Sequence, residues 1–368
     1  WATEVCLEPD DTSALQLAGM ASHPQFQDNQ DDDGELSSFL MRPGKLSFPR
    51  DKSLNIAPWN ASWSERRGVA VCIVGQEVRL EHISKVENVL RPLHDHIGHG
   101  DVSTFVVLQK GEARFSNKPL TFSSKAATVP QNDMEFRRKM KSLLGPSYTD
   151  GVSTTLEALT DEHVSFILKS WPNLRKDVQN RKDRFRNYLS QFKNMHTCMG
   201  LVKSAEARRG ALFEFVLKLR DNTIVLKPFH WMSVHNVTQF KACDGWGGIN
   251  DKVAVLLREH AVTYMMQPYN FMLDVMSGVE EEIAKARTIQ NTETLLSSVL
   301  LSHGMKYSLV DADQLPWVDG RRKEDGRWCL VPSRKDCRPS LPWTLKDIET
   351  CQMLASVPIV GNRRSGRR

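Results

Sequence analysis

The sequence contains no apolar run that approaches the ~20 residues of a membrane-spanning helix. Its seven cysteines include no CxxC pair, and no Cys/His cluster has zinc-ligand spacing, which argues against a structural zinc site. No segment of the sequence repeats. In other respects the composition is that of a folded domain, with 368 residues of which 40% are hydrophobic and 25% charged. A chain of this length can bury one large core or two small ones.

Charge is distributed unevenly along the chain. Residues 1–60 carry ten acidic side chains against four basic ones, whereas the remainder carries 45 basic against 34 acidic. Because the acidic segment lacks apolar periodicity, residues 1–66 are predicted to form an extended or partly disordered stem. The chain begins at Trp1 rather than Met, so we expect a preceding segment that holds a signal or membrane anchor. Residues 316–368 are expected to be a C-terminal extension with a solvated basic tail.

The net charge of +5 is a mild excess for this length and does not by itself indicate a nucleic-acid partner. A basic face runs along residues 174–193 of a predicted helix, but it carries few aromatic residues and no DNA- or RNA-binding motif accompanies it. A solvated charged face is the better interpretation, and no nucleic-acid partner is expected.

Hydrophobic patterning between residues 67 and 315 predicts an α/β domain. The continuous apolar run at 68–75 is typical of a strand buried on both faces, and a helical stripe precedes a second apolar run at 101–108. Strand, helix and strand in this order form a βαβ unit, which implies parallel pairing. The stripe consists of Ile83, Val86, Leu90 and Leu93, and Pro92 is expected to help end that helix. Other predicted strands are 211–219, 223–228, 252–257 and, as the last, 305–310. Other predicted helices are 134–144, 174–210, one ending at Met276, and 291–304, with Thr292 as N-cap; the rest of 110–155 is expected to be irregular.

Polar residues follow two of the predicted strands, where an open parallel sheet binds its ligands. Gly75, Gln76 and Arg79 follow the first strand, and Arg79 can pair with a phosphate near the start of the next helix. Arg220 and Asp221 follow the 211–219 strand, where a carboxylate suits Mg²⁺ or Mn²⁺. The alternatives are a surface ion pair at Arg79 and an ordinary Asp-Asn turn after Arg220.

A glycine-rich loop, CDGWGGINDKVAV (243–255), carries a third cluster. Its glycines permit close approach of a ligand, Trp246 can stack on a sugar ring, and Asp244 and Asp251 flank the loop. The alternative is a tight connection that covers a buried Trp246.

These segments together resemble a diffuse group of eukaryotic, bacterial and viral glycosyltransferase-like proteins. In that group a first strand ends in Gly-Gln-x-Arg, a later strand ends in R-x-R-x-D, and a G-x-N-D loop and a helix starting Asn-x-Glu follow. The matching positions here are Gly75, Gln76 and Arg79; Lys218, Arg220 and Asp221; Gly248, Asn250 and Asp251; and Asn291 and Glu293. The resemblance covers residues 68–310.

The resemblance implies a GT-A-like fold, with a mostly parallel, Rossmann-like sheet flanked by helices, and transfer of a sugar from a nucleotide-diphosphate donor. It implies Mn²⁺ or Mg²⁺ at Asp221 and a general base at Asp251 or Asp244. Implied donor-binding residues are Gly75, Gln76, Arg79, Arg220, Trp246, Gly248 and Asn250. The sequence departs from the usual Asp-x-Asp, because Asn222 and Thr223 follow Asp221, so metal-independent transfer that uses Arg79 and Arg220 stays open.

The acceptor implied by this resemblance is a glycan, lipid or protein, and the expected location is the Golgi or endoplasmic reticulum lumen. Sequons at Asn60 and Asn236 permit glycosylation there. Cys329, Cys337 and Cys351 are close enough in sequence for a disulfide, with free thiols as the alternative. The rival function is a catalytically inactive module that binds a nucleotide sugar or carbohydrate with the same fold.

Overall fold

The computed structural model describes residues 67–110, 132–155, 160, 171, 182–230, 237–243, 245, 247–323, 327–331 and 337–340. All of them belong to one unit of the chain, Lys45–Arg368. The strands are β1 (Val69–Gln76), β2 (Val102–Gln109), β3 (Tyr148–Thr154), β4 (Phe215–Arg220), β5 (Thr223–Val225), β6 (Thr238–Lys241), β7 (Val253–Leu257), β8 (Tyr307–Val310), β9 (Trp317–Arg322) and β10 (Trp328–Leu330). The helices are α1 (Ile83–Lys85), α2 (Arg91–Ile97), α3 (Asp133–Leu144), α4 (Lys182–Arg209), α5 (Arg258–Met276), α6 (Glu280–Ala286) and α7 (Thr292–Ser302). The predicted stem, residues 1–66, lies outside the described residues.

Seven strands form one sheet in the order β3-β2-β1-β4-β7-β6-β8. The β1–β2, β2–β3, β1–β4 and β6–β8 pairs are parallel, and β7 pairs antiparallel with β4 and β6. The mostly parallel α/β sheet predicted from the sequence is therefore confirmed, including the βαβ unit that contains β1 and β2. From β1 the chain first builds outward to β2 and β3, and it then returns to the opposite side of β1 to form β4. The β1–β4 boundary is a topological switch point, the place where α/β sheets bind ligands.

Helices cover both faces of this sheet. On one face Cys72 and Val74 of β1 pack in a core with α4, α5 and α7, and on the other Val71 and Ile73 pack with α2 and α3. Every residue of β1 is buried, as its continuous apolar run predicts. Helix–sheet–helix layering places the ends of β1 and β4 between two cores, which fixes the backbone on which the site is built.

Several sequence predictions about element bounds were wrong. β3 and β6 lie in segments without a strand pattern, because β3 is a polar edge strand and β6 has four residues. Asn291, not Thr292, caps α7, with its side chain accepting from the backbone N–H of Thr294. Ile83 is 54% exposed. A π-helical turn, Val86–Leu90, follows it and interrupts the spacing that would place it on the buried face.

The strand predicted as the last, β8, is followed by β9 and β10. These strands lie in the range assigned to the C-terminal extension and pair antiparallel with each other, and β9 pairs with β5. Gly320 in β9 packs against Ile224 so closely that a Cβ would lie 2.5 Å from its side chain. The two residues belong to a second, three-stranded sheet beside the main one.

Two disulfides join elements that are distant in sequence. Cys72 of β1 pairs with Cys198 of α4, and Cys243 pairs with Cys337. The expectation of a bond within the 329–351 cluster is thus wrong for Cys337, because folding brings it to the end of β6. Among the described helices, none combines the length and apolarity that crossing a bilayer requires.

A buried ion pair joins α4 to α5. Glu206 accepts hydrogen bonds of 2.5 and 2.6 Å from Arg258 and one of 3.0 Å from the backbone N–H of Phe213. Both charged side chains are at most 2% exposed. Removing one partner therefore leaves an uncompensated charge in the core.

We expect Glu206→Gln to lower the free energy of unfolding by about 3–5 kcal/mol, the usual result of breaking a buried ion pair. Glu87→Gln is the matched control, because Glu87 pairs with Arg91 on the surface and such pairs contribute about 0–1 kcal/mol. Urea denaturation of the two variants measures both values. Equal losses would show that the Glu206 pair does not stabilise the packing of α4 on α5.

Candidate functional site

The candidate site lies where β1 and β4 end side by side. Gly75 has a φ of +146°, and a Cβ there would lie 2.2 Å from Cγ of Asp221. The backbone N–H of Asp221 donates to the carbonyl of Val74 at 2.9 Å, which places the aspartate directly against β1. The glycine predicted to admit a ligand thus admits a side chain of the protein itself.

The carboxylate of Asp221 is fully buried and is bonded on both oxygens. Arg79 donates to Oδ2 from Nε at 2.8 Å and to Oδ1 from Nη2 at 3.1 Å, and the backbone N–H of Gln76 donates to Oδ2 at 2.8 Å. The Nζ of Lys85 and the N–H of Glu81 hold the backbone carbonyl of Asp221. These donors hold the Asp221 carboxylate in a fixed position.

The carboxylate of Asp221 therefore does not present the open oxygens that a divalent cation requires. In the described ranges no group of three His, Cys, Asp or Glu side chains is placed to hold a metal ion. The metal-ligand role of Asp221 stays a prediction, and the geometry gives this residue another task, which is to position Arg79 and the end of β1.

Arg220 links this pair to a second one. Its Nε lies 3.9 Å from Oδ1 of Asp221, and its Nη1 donates to both oxygens of Asp251 at 3.2 and 2.9 Å. Gln191 of α4 donates to Oδ2 of Asp251 at 2.6 Å. Arg79, Asp221, Arg220 and Asp251 thus form a chain of alternating charges, called here the switch-point ion chain. Arg79, Arg220 and Asp221, which follow strands, lie together at one edge of the sheet, and Asp251, just before β7, joins them there.

The ion chain fixes the charge states of Asp251 and Arg220. Burial alone would raise the pKa of Asp251, but Arg220, Lys252 and Lys218 lower it well below its usual range. Burial likewise works against Arg220, yet Asp251 and Asp221 raise its pKa above the ordinary value. A carboxylate held so firmly as an anion is a weak proton acceptor, so this geometry does not favour the general-base role predicted for Asp251.

Lys218 lies under the ion chain in β4. Its side chain is fully buried, and its Nζ donates to the backbone carbonyl oxygens of Asp251 and Lys252. Burial lowers the pKa of Lys218 to about 7; Asp251 opposes this shift, and Arg220 and Lys252 add to it. Lys218 therefore anchors the backbone that carries Asp251.

The glycine-rich loop reaches the same edge but packs on α7. A Cβ at Gly248 would lie 2.2 Å from the carbonyl oxygen of Glu293, and the N–H of Ile249 donates to that oxygen at 3.2 Å. The side chain of Asn250 donates to the carbonyl of Cys243 and accepts from the N–H of Lys252, both inside the loop. Gly248 and Asn250 thus shape the loop, and their donor-binding role stays a prediction. Asp244 and Trp246 lie outside the described residues.

Glu293 stands apart from the other carboxylates of this edge. It lies in the first turn of α7 and is half-buried, and its Oε2 accepts a hydrogen bond of 2.9 Å from the hydroxyl of Thr292. Burial and the charge of Asp251 raise the pKa of Glu293 to about 7; the hydrogen bond from Thr292 and the charge of Lys252 oppose that rise. Sequence motifs singled out this residue, but its state depends on Asp251, which is distant in sequence.

Helix α4 supplies two site residues that sequence reasoning missed. Asn194 donates to the carbonyl of Gly75 at 2.9 Å and accepts from the hydroxyl of Thr154 at 2.8 Å, so it ties β1 to β3. Gln191 lies one turn away and binds Asp251. The sequence offered one signal for them: Gln191 and Asn194 are amides three positions apart on a helix face that is otherwise apolar.

Several buried polar atoms in residues of this edge have no hydrogen-bond partner within the described residues. They include Oε1 of Gln76, Oε2 of Glu77, Oγ of Ser190, Nε of Arg220 and Oδ1 of Asn222. Leaving such a group unpaired costs about 1–3 kcal/mol, so native structures pair them with protein, water or ligand. Their grouping at the switch point indicates a polar binding site.

We expect Gly75→Ala to destabilise the fold by about 3 kcal/mol or more, because the new Cβ combines a strained φ with a clash against a buried side chain. Gly304→Ala is the control. It also has a positive φ, +62°, but nothing lies within 4 Å of its added Cβ, so about 1 kcal/mol is expected. Chemical denaturation measures both, and similar losses would contradict the close packing of Gly75 on Asp221.

The raised pKa of Glu293 makes stability depend on pH in a defined direction. Its contribution is fully present below the unfolded-state pKa of 4.5 and is lost as pH rises through about 7, because the folded state resists ionisation. Glu293→Gln removes this dependence. We expect the variant to melt roughly 2 °C or more above wild type at pH 8, with a smaller difference at pH 5. The exposed residue Glu280, changed to Gln, is the control and should show no such trend.

No protein-family model and no curated protein matches the chain. Among solved structures it is similar to the glycosyltransferase GlyE of Streptococcus pneumoniae TIGR4 in the apo form, with 10% identity, a TM-score of 0.30 and coverage of 67% of this chain and 46% of that one. A second GlyE structure is 11% identical, with a TM-score of 0.29 and coverage of 66% of this chain and 46% of that one. The apo form of mouse xyloside xylosyltransferase 1 is 8% identical, with a TM-score of 0.29 and coverage of 67% of this chain and 86% of that one.

The chain spans about half the length of the two pneumococcal structures that it matches. The fold assignment here rests on the strand order and pairing of the chain itself.

Proposed function

We propose that this protein is a glycosyltransferase, which moves a sugar from a nucleotide-diphosphate donor to an acceptor hydroxyl. The observation that carries the proposal is the switch-point ion chain, with Arg220 held between two aspartates where α/β sheets bind ligands. The Nε of Arg220 has no hydrogen-bond partner among the described residues, and its side chain keeps 18% of its surface exposed. A fixed, permanently charged guanidinium suits the oxygens of a diphosphate.

The chemistry that such a site supports is stabilisation of the leaving group. Breaking the sugar–phosphate bond places negative charge on the diphosphate, and charges that are already in position stabilise it without reorganisation. Arg220 is oriented by Asp251 and stays protonated throughout. Lys252 lies beside the same carboxylate, 3.8 Å from Oδ1, and adds a second positive charge. These residues neutralise the diphosphate without any step that depends on a metal ion.

The residue pattern from β1 to α7 also supports the proposal, because it resembles that of glycosyltransferase-like proteins. A secretory location, in the Golgi or endoplasmic reticulum lumen, is part of the proposal and fits the two disulfides, which are typical of oxidising compartments. The acceptor is proposed to be a glycan, lipid or protein.

The second candidate is an inactive module that binds nucleotide sugars. One observation favours it, which is that Asp221 and Asp251 both have their carboxylate oxygens bonded to donors of the protein. Neither is then available for chemistry, and binding alone would remain. The two candidates differ in turnover and agree in nucleotide affinity.

Calorimetric titration of the whole chain with UDP and GDP, with and without Mn²⁺, tests the site. We expect binding of at least one nucleotide, and we expect Arg220→Gln with Asp251→Asn to weaken it roughly tenfold or more, because a charge-assisted phosphate contact is lost. The double change removes both charges, so no unpaired carboxylate stays buried. The control is Glu87→Gln with Arg91→Gln, which neutralises an exposed pair.

Unchanged affinity in the Arg220/Asp251 variant would contradict the diphosphate role of Arg220. A Mn²⁺-dependent gain of affinity that Asp221→Asn abolishes would instead favour the metal-ligand role of Asp221. Hydrolysis of sugar nucleotides by the wild-type protein then separates the transferase from the binding module.

A further inference from the structure

We infer that Glu293 is the proton acceptor that activates the acceptor hydroxyl in the transfer. This inference rests on the proposed function and deepens it, since it assigns the catalytic base to a residue outside the ion chain. Three observations lead to it: the partly exposed carboxylate of Glu293, the contacts that fix its backbone, and the charged groups near it.

The first observation is that the carboxylate of Glu293 is available. Within the described residues the carboxylate of Glu293 accepts a hydrogen bond at Oε2 from the hydroxyl of Thr292 and another from its own backbone N–H. The side chain is half-buried, so one oxygen can receive a proton from a bound molecule. Asp221 and Asp251, by contrast, are fully buried and bonded on both oxygens.

The second observation is that Glu293 is held firmly. Asn291 and Thr294 form a reciprocal capping box at the start of α7, with Glu293 between them. The backbone of Gly248 packs on the carbonyl of Glu293, and Ile249 donates to it. A group that takes a proton during the reaction must be within hydrogen-bond reach of it, so such a mounting is useful for a base and is not needed for a surface carboxylate.

The third observation is the surroundings of the Glu293 side chain. Asp251 and Lys252, just before β7, and Arg220, at the end of β4, are close enough for their charges to act on Glu293. Tyr264 of α5 is fully buried, feels the charges of Asp251 and Glu293, and its hydroxyl has no hydrogen-bond partner in the described part of the chain. Glu293 thus belongs to the charged edge that also carries the ion chain.

The same surroundings give Glu293 a suitable basicity. With a pKa of about 7, raised by burial and by Asp251, it is ionised in part at neutral pH and gains more from taking a proton than an ordinary carboxylate does. Lys252 lowers the pKa of Glu293 as well as that of Asp251, but at Glu293 burial and the charge of Asp251 outweigh it. The two carboxylates therefore divide the work, with Asp251 orienting Arg220 and Glu293 accepting the proton.

Proton transfer and displacement take place in one step. The O–H bond of the acceptor breaks and its proton goes to Oε1 of Glu293, while the acceptor oxygen forms a bond to the anomeric carbon. The bond from that carbon to the diphosphate oxygen breaks, and its electron pair leaves with the diphosphate, whose charge Arg220 stabilises. Direct displacement of this kind inverts the anomeric configuration.

The test uses the whole chain and water as the acceptor. Hydrolysis of UDP-glucose, UDP-N-acetylglucosamine, UDP-xylose and GDP-mannose is followed from pH 5 to 9, with affinity for UDP and GDP measured beside it. We expect Glu293→Gln to keep nucleotide affinity, to lower turnover about 100-fold or more, and to lose the fall in rate below pH 7. Glu280→Gln, on the exposed first turn of α6, is the matched control and should keep rate and profile.

The outcomes separate the two claims. If wild type binds UDP or GDP yet hydrolyses none of the four donors, the transferase proposal fails and the role of Glu293 falls with it. If wild type turns over and Glu293→Gln keeps its rate and pH profile, the role of Glu293 is overturned while the transferase proposal stands. Should Glu293→Gln melt below wild type, Glu293→Asp serves as the second variant. If Glu293 is the base, the Glu293→Asp variant should turn over faster than the Glu293→Gln variant. Equal rates of the two variants would overturn the inference.

Discussion

The bonding of Asp221 to Arg79 and to the end of β1 is the constraint on which the rest of the site depends. Asp221 occupies the space that a side chain at residue 75 would need, and its charge sets the position of two arginines. Because the pair is desolvated, breaking either partner would leave a buried charge, so the arrangement is held as a unit. Arg220 and Asp251 extend this pair toward β7 and complete the switch-point ion chain.

The central part of the fold could be predicted from the sequence because it consists of long apolar runs. β1 and β2 are buried almost throughout, and continuous hydrophobicity of this kind is typical of strands covered on both faces. The position of Arg79 and Asp221 on one edge also follows from sequence, since both come after parallel strands. Edge strands such as β3 escaped prediction because a polar, half-buried strand has no periodic signature.

The roles within the site were harder to predict, because they depend on partners distant in sequence. Nothing local to Asp221 reveals that Arg79 will occupy its carboxylate, and nothing local to Asp251 reveals Gln191. The sequence predicts ligand approach at Gly248, but the close neighbour is the backbone of Glu293. The positions of the polar residues were thus predicted correctly, but their roles were not. The roles depend on charge and burial, which are set only when the strand ends and helices come together.

The contact between the glycine-rich loop and α7 has a mechanical consequence. Gly248 and Ile249 rest on the carbonyl of Glu293, and one end of the loop is clamped by the Cys243–Cys337 bond. Because these contacts leave no gap between the loop and the first turn of α7, a displacement of the loop would be transmitted to the helix turn that carries Glu293. Under the proposed function, binding of a sugar at the loop and the position of the proposed proton acceptor would therefore be coupled through these backbone contacts.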